Sequence, residues 1–174
     1  MNAASYDELH PSAEPLDRLL ADCDVRFARR SGPGGQNRNK VETAAILTHR
    51  PTGLSAEANE RRSQGENRVV ALMRLRVLLA LEVRRPVDLE VGPSALWRSR
   101  LKGGRIVVSP SHDDFPALLA EALDAVDASD TDVKVAAERL GCSASQLVKF
   151  LKLEPRAMKQ VNDRRTAAGL RPLR

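Results

Sequence analysis

Ten consecutive residues, Ser31-Gly32-Pro33-Gly34-Gly35-Gln36-Asn37-Arg38-Asn39-Lys40, join a permissive backbone to an uncharged polar tip. Gly34 and Gly35 can reach positive φ values closed to other residues, and glycines let another molecule come close to the main chain. Pro33 stiffens the approach, and Gln36 presents a neutral amide that both donates and accepts hydrogen bonds. Arg26, Arg29 and Arg30 precede this tip, and Arg38 and Lys40 follow it. A rigid, uncharged tip between cationic shoulders suits a substrate held on a polyanion. A lone Gly-Gly-Gln could equally be a glycine hairpin with a solvated basic rim. No conventional nucleophile or general base accompanies the stretch. His49 falls in a strand–turn block and reads as structural, while His10 and His112 lie in polar, loop-like contexts. No metal-ligand constellation is expected, and no cofactor.

The tip needs a scaffold, and the flanking pattern supplies one. Asp24-Val25-Arg26-Phe27-Ala28-Arg29 alternates apolar and polar residues, which predicts a half-buried strand leading into the loop. Thr43–His49 predicts a second strand, Pro51-Thr52-Gly53 a turn, and Leu54 the start of a short third strand. Ser63 and Glu66 form a capping box that opens a long helix, expected to run to Arg85 and to stop before Pro86. Val69, Leu72, Met73, Leu79, Ala80 and Val83 are expected to form its apolar face. The fold class is therefore α+β: a small antiparallel sheet carrying the glycine loop, one long packing helix, and a C-terminal helical module.

Four segments are expected. Residues 1–14 read as a disordered N-terminus, 15–86 as the domain carrying the glycine loop, 87–112 as a connector and 113–174 as the helical module. In the connector, 87–91 and 105–108 look strand-like, with Trp97 between them. In the module, Phe115, Leu118, Leu119, Ala122, Leu123 and Val126 make one apolar stripe. Asp132 caps a second helix that stops at Gly141, Ser143 and Gln146 form another capping box, and Pro155 suits the first turn of a last helix. The run 133–151 resembles a helix-turn-helix. It reads either as a stabilising appendix or as an RNA- or ribosome-contacting module supported by Lys149, Lys152, Arg156, Lys159, Arg164 and Arg165.

Three blocks extend the pattern beyond the glycine tip: Arg30 to Ala45, then Leu47-Thr48-His49-Arg50-Pro51-Thr52-Gly53, then Glu60-Arg61-Arg62-Ser63-Gln64. From Asp24 to about Leu81, these blocks and the basic helix after them resemble the catalytic domain of class I peptide chain release factors. In size the chain is closest to codon-independent ribosome-rescue peptidyl-tRNA hydrolases. The resemblance implies hydrolysis of the peptidyl-tRNA ester in the peptidyl-transferase centre of the ribosome, with Gly34, Gly35 and Gln36 as the catalytic residues. It implies that Gln36 turns its backbone N–H to the developing oxyanion or the leaving ribose oxygen while its side chain confines the water. Arg26, Arg29, Arg30, Arg38, Lys40, Arg61, Arg62 and Arg68 would meet ribosomal RNA phosphates. The implied partners are the ribosome, through its large-subunit (23S-type) RNA and peptidyl-tRNA, and a glutamine methyltransferase acting on Gln36. Two positions depart from the family pattern: Arg38 replaces a common aliphatic residue, and Ile46 a common basic one. The alternative reading is a non-catalytic ribosome- or RNA-binding module that retains the fold.

Composition agrees with such a partner. The chain has 174 residues, a net charge of +5, 42% hydrophobic and only 3% aromatic residues, so its core is expected to be aliphatic. The charge is segmented. Residues 1–24 hold six acids and one Arg, 25–105 hold 17 bases and seven acids, 106–132 hold seven acids and no base, and 133–174 hold ten bases and three acids. The basic block coincides with the glycine loop, as phosphate docking requires. Cys23 and Cys142 have no metal-type spacing, and the acidic N-terminus is unlike a signal or transit peptide. A cytoplasmic, non-membrane monomer is expected. The short stretch before the glycine domain leaves no room for a codon-reading domain, so stop-codon recognition is not expected.

Overall fold

The computed structural model describes residues 9–29 and 42–174. They form two compact units, one spanning Glu14–Leu79 and the other joining the described part of Met1–Ala13 to Ala80–Arg174.

The first unit is built on a three-stranded antiparallel sheet of β1 (Cys23–Ala28), β2 (Ala44–His49) and β3 (Ser55–Ala58), in that order. A short helix α1 (Leu16–Ala21) precedes it, and a long helix α2 (Gln64–Glu82) follows, of which 64–79 belongs to this unit. Pairing of Val25 with Leu47 and Ala56, and of Phe27 with Ala45 and Ala58, puts the alternating apolar positions on one face. Ala45, Leu47 and Ala58 on that face, and Ala71, Leu75 and Leu79 on α2, are all 1% exposed or less. They make the aliphatic interior that the composition predicts. On the opposite face Ile46 lies in register between Arg26 and Glu57, and it is only 9% exposed. The polar face thus has an apolar centre.

The turn after β2 shows why His49 is structural. Gly53, at φ +70°, donates its N–H to the His49 carbonyl at 2.8 Å, and the buried imidazole Nδ1 lies 2.8 Å from Thr52 Oγ1. Burial pulls the imidazole pKa below its usual value.

α2 departs from expectation in its orientation. Its buried row in this unit is Asn67, Ala71, Leu75 and Leu79, one residue every fourth position, whereas Val69 is 68% exposed. The polar Asn67 sets this rotation through its hydrogen bonds, described below. The helix also ends at Glu82, three residues before the expected Arg85.

The second unit holds α3 (Ala95–Arg100), a minimal hairpin of β4 (Leu101–Lys102) and β5 (Arg105–Ile106), α4 (Phe115–Ala128), α5 (Val133–Arg139), α6 (Ala144–Leu151) and α7 (Pro155–Ala167). The strand expected over 87–91 is absent, and the second shrinks to two residues in the hairpin. Its turn is Gly103-Gly104, with φ of +55° and +73°, the two positive values that a two-residue hairpin turn demands.

Trp97 makes 87–112 an integral part of the helical unit. Fully buried, it donates its indole N–H to the Leu140 carbonyl at 2.8 Å and meets Phe150 edge-on at 5.5 Å between ring centroids. Phe115 lies 5.8 Å from Phe150, so three of the five aromatic residues in the chain share one cluster. The cap signals hold. Asp132 accepts the N–H groups of Lys134 and Val135, Ser143 accepts that of Gln146, and Pro155 opens α7. Gly141, at φ +67°, closes α5 with the paired C-terminal bonds Cys142 N–H to Ala137 and Gly141 N–H to Glu138, both 3.0 Å.

Residues 10–13, expected in a disordered terminus, are instead packed. Pro11–Ala13 forms a 3-10 turn with Pro11 and Ser12 buried. His10 is not without partners either. Its Nε2 donates to the Val83 carbonyl at 3.2 Å, its Nδ1 accepts the Ser12 N–H at 3.1 Å, and Ser12 Oγ donates to the Pro116 carbonyl at 3.3 Å. His112 likewise has partners: its Nδ1 accepts the Asp114 N–H, and Arg100 donates to its Nε2.

Burial pushes the His10 imidazole down to about 4. The folded state therefore binds fewer protons than the unfolded chain between about pH 6.5 and about 4. Stability from this group is complete above the unfolded pKa and is lost as pH falls, by at most about 1.4 kcal/mol per pH unit. Asp124, whose carboxyl burial raises to about 6 despite bonds from Arg84 and the Arg85 N–H, acts in the opposite sense in the same window. The comparison that isolates His10 is wild type against His10→Gln. Their stability gap is expected to narrow as pH falls from about 7 to about 5, by up to about 2 kcal/mol in denaturant titrations. A gap independent of pH would mean that the His10 imidazole has the same pKa in the folded and the unfolded chain.

Candidate functional site: the root of the glycine loop

Gly34, Gly35 and Gln36 lie outside the described residues, as do Arg30, Arg38 and Lys40. The two ends of that segment are described, and they are fastened from three sides. The register pair Ala28–Ala44 closes the stem. Beyond it, Arg29 Nε and Glu42 Oε1 form an ion pair at 3.5 Å. From the start of α2, Gln64 donates its side-chain amide to the Glu42 carbonyl, and Asn67 donates to the Thr43 carbonyl at 2.7 Å.

Asn67 is the residue that sequence reasoning missed. It is fully buried, and its amide saturates three groups. Nδ2 donates to the carbonyls of Thr43 and Arg61, at 2.7 and 3.0 Å, and Oδ1 accepts the Arg61 N–H at 2.8 Å. One side chain therefore ties the strand leaving the loop, the Glu60–Ser63 connection and the first turn of α2. The available signal was a polar residue at a position whose fourth, eighth and twelfth successors are all apolar. Asn67→Ala leaves three half-buried main-chain groups without these partners and is expected to cost about 2–3 kcal/mol in denaturant unfolding. Asn67→Asp keeps the acceptor, replaces two donors by a charge, and is expected to fare no better. An aspartate variant as stable as wild type would refute the role of those two donors.

The four described arginines of the expected phosphate-binding set other than Arg29 carry no side-chain ion pair among the described residues. Arg26 lies on the polar face of β1, Arg61 and Arg62 stand just before the Ser63 cap, and Arg68 is exposed on the second turn of α2. The Asn67 bonds hold Arg61 and its neighbours beside the loop root. Other cations of the unit are engaged. Arg74 grips Glu60 with both terminal nitrogens and bonds the Glu57 carbonyl, and Arg50 pairs with Asp24. Together these features fasten both ends of the segment 30–41 and leave Arg26, Arg61, Arg62 and Arg68 beside them without an acidic partner among the described residues.

Residues 19–90 match the RF-1 domain family. The chain is 52% identical over 58 residues to the chloroplastic peptide chain release factor PrfB1 of Arabidopsis thaliana, an alignment covering 33% of this chain and 13% of the relative. It is 38% identical over 90 residues to peptide chain release factor 1 of Rickettsia typhi, covering 51% and 25%. Against peptide chain release factor 1 of Acidiphilium cryptum the identity is 42% over 76 residues, covering 42% and 22%. Residues 19–90 are thus similar to the RF-1 domain of class I peptide chain release factors. The chain spans a quarter or less of the length of these relatives.

Proposed function

We propose that this protein hydrolyses the ester of peptidyl-tRNA in the ribosomal peptidyl-transferase centre without reading a stop codon, as in the rescue of stalled ribosomes. The observation that carries this reading is the anchored loop root with uncompensated arginines, in a segment of the release factor family that retains Gly34-Gly35-Gln36. In the mechanism we favour, ribosomal RNA holds the substrate and the protein contributes geometry. The glycines carry the main chain up to the ester, and the Gln36 backbone N–H stabilises the charge that develops on oxygen. The Gln36 side chain confines the attacking water. Arg26, Arg29, Arg30, Arg38, Lys40, Arg61, Arg62 and Arg68 would neutralise phosphates around the tip. Among the described residues no helix is long and apolar enough to cross a membrane, and we place the activity in the cytoplasm, with the protein acting as a monomer. A methyltransferase acting on Gln36 would be a further partner.

The deciding experiment is peptide release from purified ribosomes loaded with either truncated or stop-codon mRNA. Release on the truncated message, undiminished when the stop codon is absent, is the expected result. Release only with a stop codon would remove the codon-independent part of the proposal. Ribosome binding with no release on either message would favour a non-catalytic anchor.

A further inference from the structure

The helical unit contains a cleft of about 850 Å³ between the corner leading from α4 into α5, the outer side of α6 and the C-terminal tail. Its rim carries Lys134, Lys149, Lys152, Arg165 and Arg174, opposed by Asp130 and Asp132. Five cations face two carboxylates there, so the rim keeps an excess of three positive charges.

Ion pairing separates this set from most of the other cations of the module. Arg156 is gripped by Glu154 at 2.7 Å, Lys159 by Asp163 at 2.5 Å, and Arg164 by Asp127. Arg139 faces Glu121 at 3.9 Å. These cations are compensated within the fold, including three of the six that the sequence nominates for RNA contact. Lys134, Lys149, Lys152 and Arg174 have no acidic partner among the described residues, and all four line the cleft. The fifth, Arg165, is bound only by the carbonyls of Thr131 and Arg171, so it keeps its full charge and a fixed direction. Of the cations in 113–174 without an ion pair among the described residues, Arg171 alone lies outside the cleft lining.

We propose that this cleft is a second RNA-binding site, gripping the phosphodiester backbone of folded RNA independently of the glycine loop. The choice of RNA over other polyanions rests on the reading of the first unit as a ribosome-acting domain. Charge complementarity favours phosphates. No aromatic side chain lines the cleft, which removes the stacking platforms that hold single-stranded bases. Its walls include Val133, Val148, Leu170 and Leu173, which suit the C–H edges of ribose better than a base edge needing hydrogen bonds. Recognition would therefore follow backbone and shape rather than sequence.

The test uses the full chain, a fluorescein-labelled RNA hairpin and a salt series. Lys134, Lys149 and Lys152 are exposed, so Lys134→Gln/Lys149→Gln/Lys152→Gln should keep the wild-type melting temperature. If each contacts one phosphate, the slope of log K against log salt should fall by about two to three. Low-salt affinity should drop at least about tenfold. Lys159→Gln/Arg164→Gln, which removes compensated cations, should leave the slope unchanged. In the wild type the hairpin should protect Lys134, Lys149 and Lys152 from amine acetylation. An unchanged slope in the triple variant would overturn the proposal. So would a DNA hairpin of the same sequence bound more tightly than the RNA, or polyglutamate competing as well as unlabelled RNA. Peptide release by the wild type tests the first unit separately. Loss of the RNA site with release intact, or release absent with the RNA site intact, identifies which of the two readings has failed.

Discussion

Gly35→Ala is expected to abolish peptide release, and Gln36→Ala to lower it by about two to three orders of magnitude, the usual cost of removing a group that stabilises a transition-state oxyanion or orients the attacking water. Ribosome association should change little in either variant, because the arginines proposed to meet phosphates, Arg26, Arg61, Arg62 and Arg68, are not touched by the substitutions. Glycine at 34 and 35 determines where the main chain can go, so a methyl group at 35 both restricts φ and obstructs close approach. The Gln36 side chain contributes separately, and Gln36→Ala leaves the backbone N–H in place. The alanine at 35 is therefore expected to do more damage than the alanine at 36. Single-turnover release on preloaded ribosomes, measured beside pelleting of the same variants with large subunits, distinguishes the two effects. A Gly35→Ala protein that releases peptide at the wild-type rate would sink the catalytic assignment. Loss of release together with loss of pelleting would instead place the glycines in binding.

Trp97→Ala is expected to be the most destabilising single change in the helical unit. The side chain is fully buried, meets Phe150 edge-on, and spends its only donor on the Leu140 carbonyl. Truncation opens a large cavity and strands that carbonyl, so a loss of about 3–5 kcal/mol is expected. For a chain of this length that corresponds to a fall of about 6–20 °C in the transition of this unit. Trp97→Phe preserves most of the ring packing and loses the hydrogen bond, with an expected cost of about 1–2 kcal/mol. The pair separates packing from hydrogen bonding in calorimetry. A Trp97→Ala transition within about 2 °C of wild type would show that the segment 87–112 is peripheral to the unit after all.

The elements that proved legible are those whose signal is local. The alternation in Asp24–Arg29 anticipated β1 to within one residue at each end, and Thr43–His49 anticipated β2 equally well. Asp132, Ser143 and Gly141 marked helix ends because capping is satisfied by groups two to five residues away. The failures share a different cause. The buried face of α2 was misjudged because Asn67, absent from the expected apolar face, is buried and bonds the Thr43 carbonyl 24 residues upstream. The strand expected at 87–91 did not form, since β-forming residues need a neighbouring strand and none is present there. The Trp97 partners lie 43 and 53 residues away, too far for any periodicity to connect.

The sequence by itself carried the likeness of Asp24 to about Leu81 to release factors, the permissive Gly34-Gly35-Gln36 tripeptide, the short strands around it and most helix ends. Each depends on residue type and on neighbours within a turn or a strand. Only the tertiary structure decided how the loop root is fastened, and which cations remain available to a polyanion. Arg156, Lys159 and Arg164 look the same in sequence as Lys149 and Lys152, yet Glu154, Asp163 and Asp127 compensate the first three, and the last two share a cleft with Lys134 and Arg174. Charge is a property of the residue. Whether that charge is compensated depends on distances of a few ångströms between groups that only the folded chain brings together.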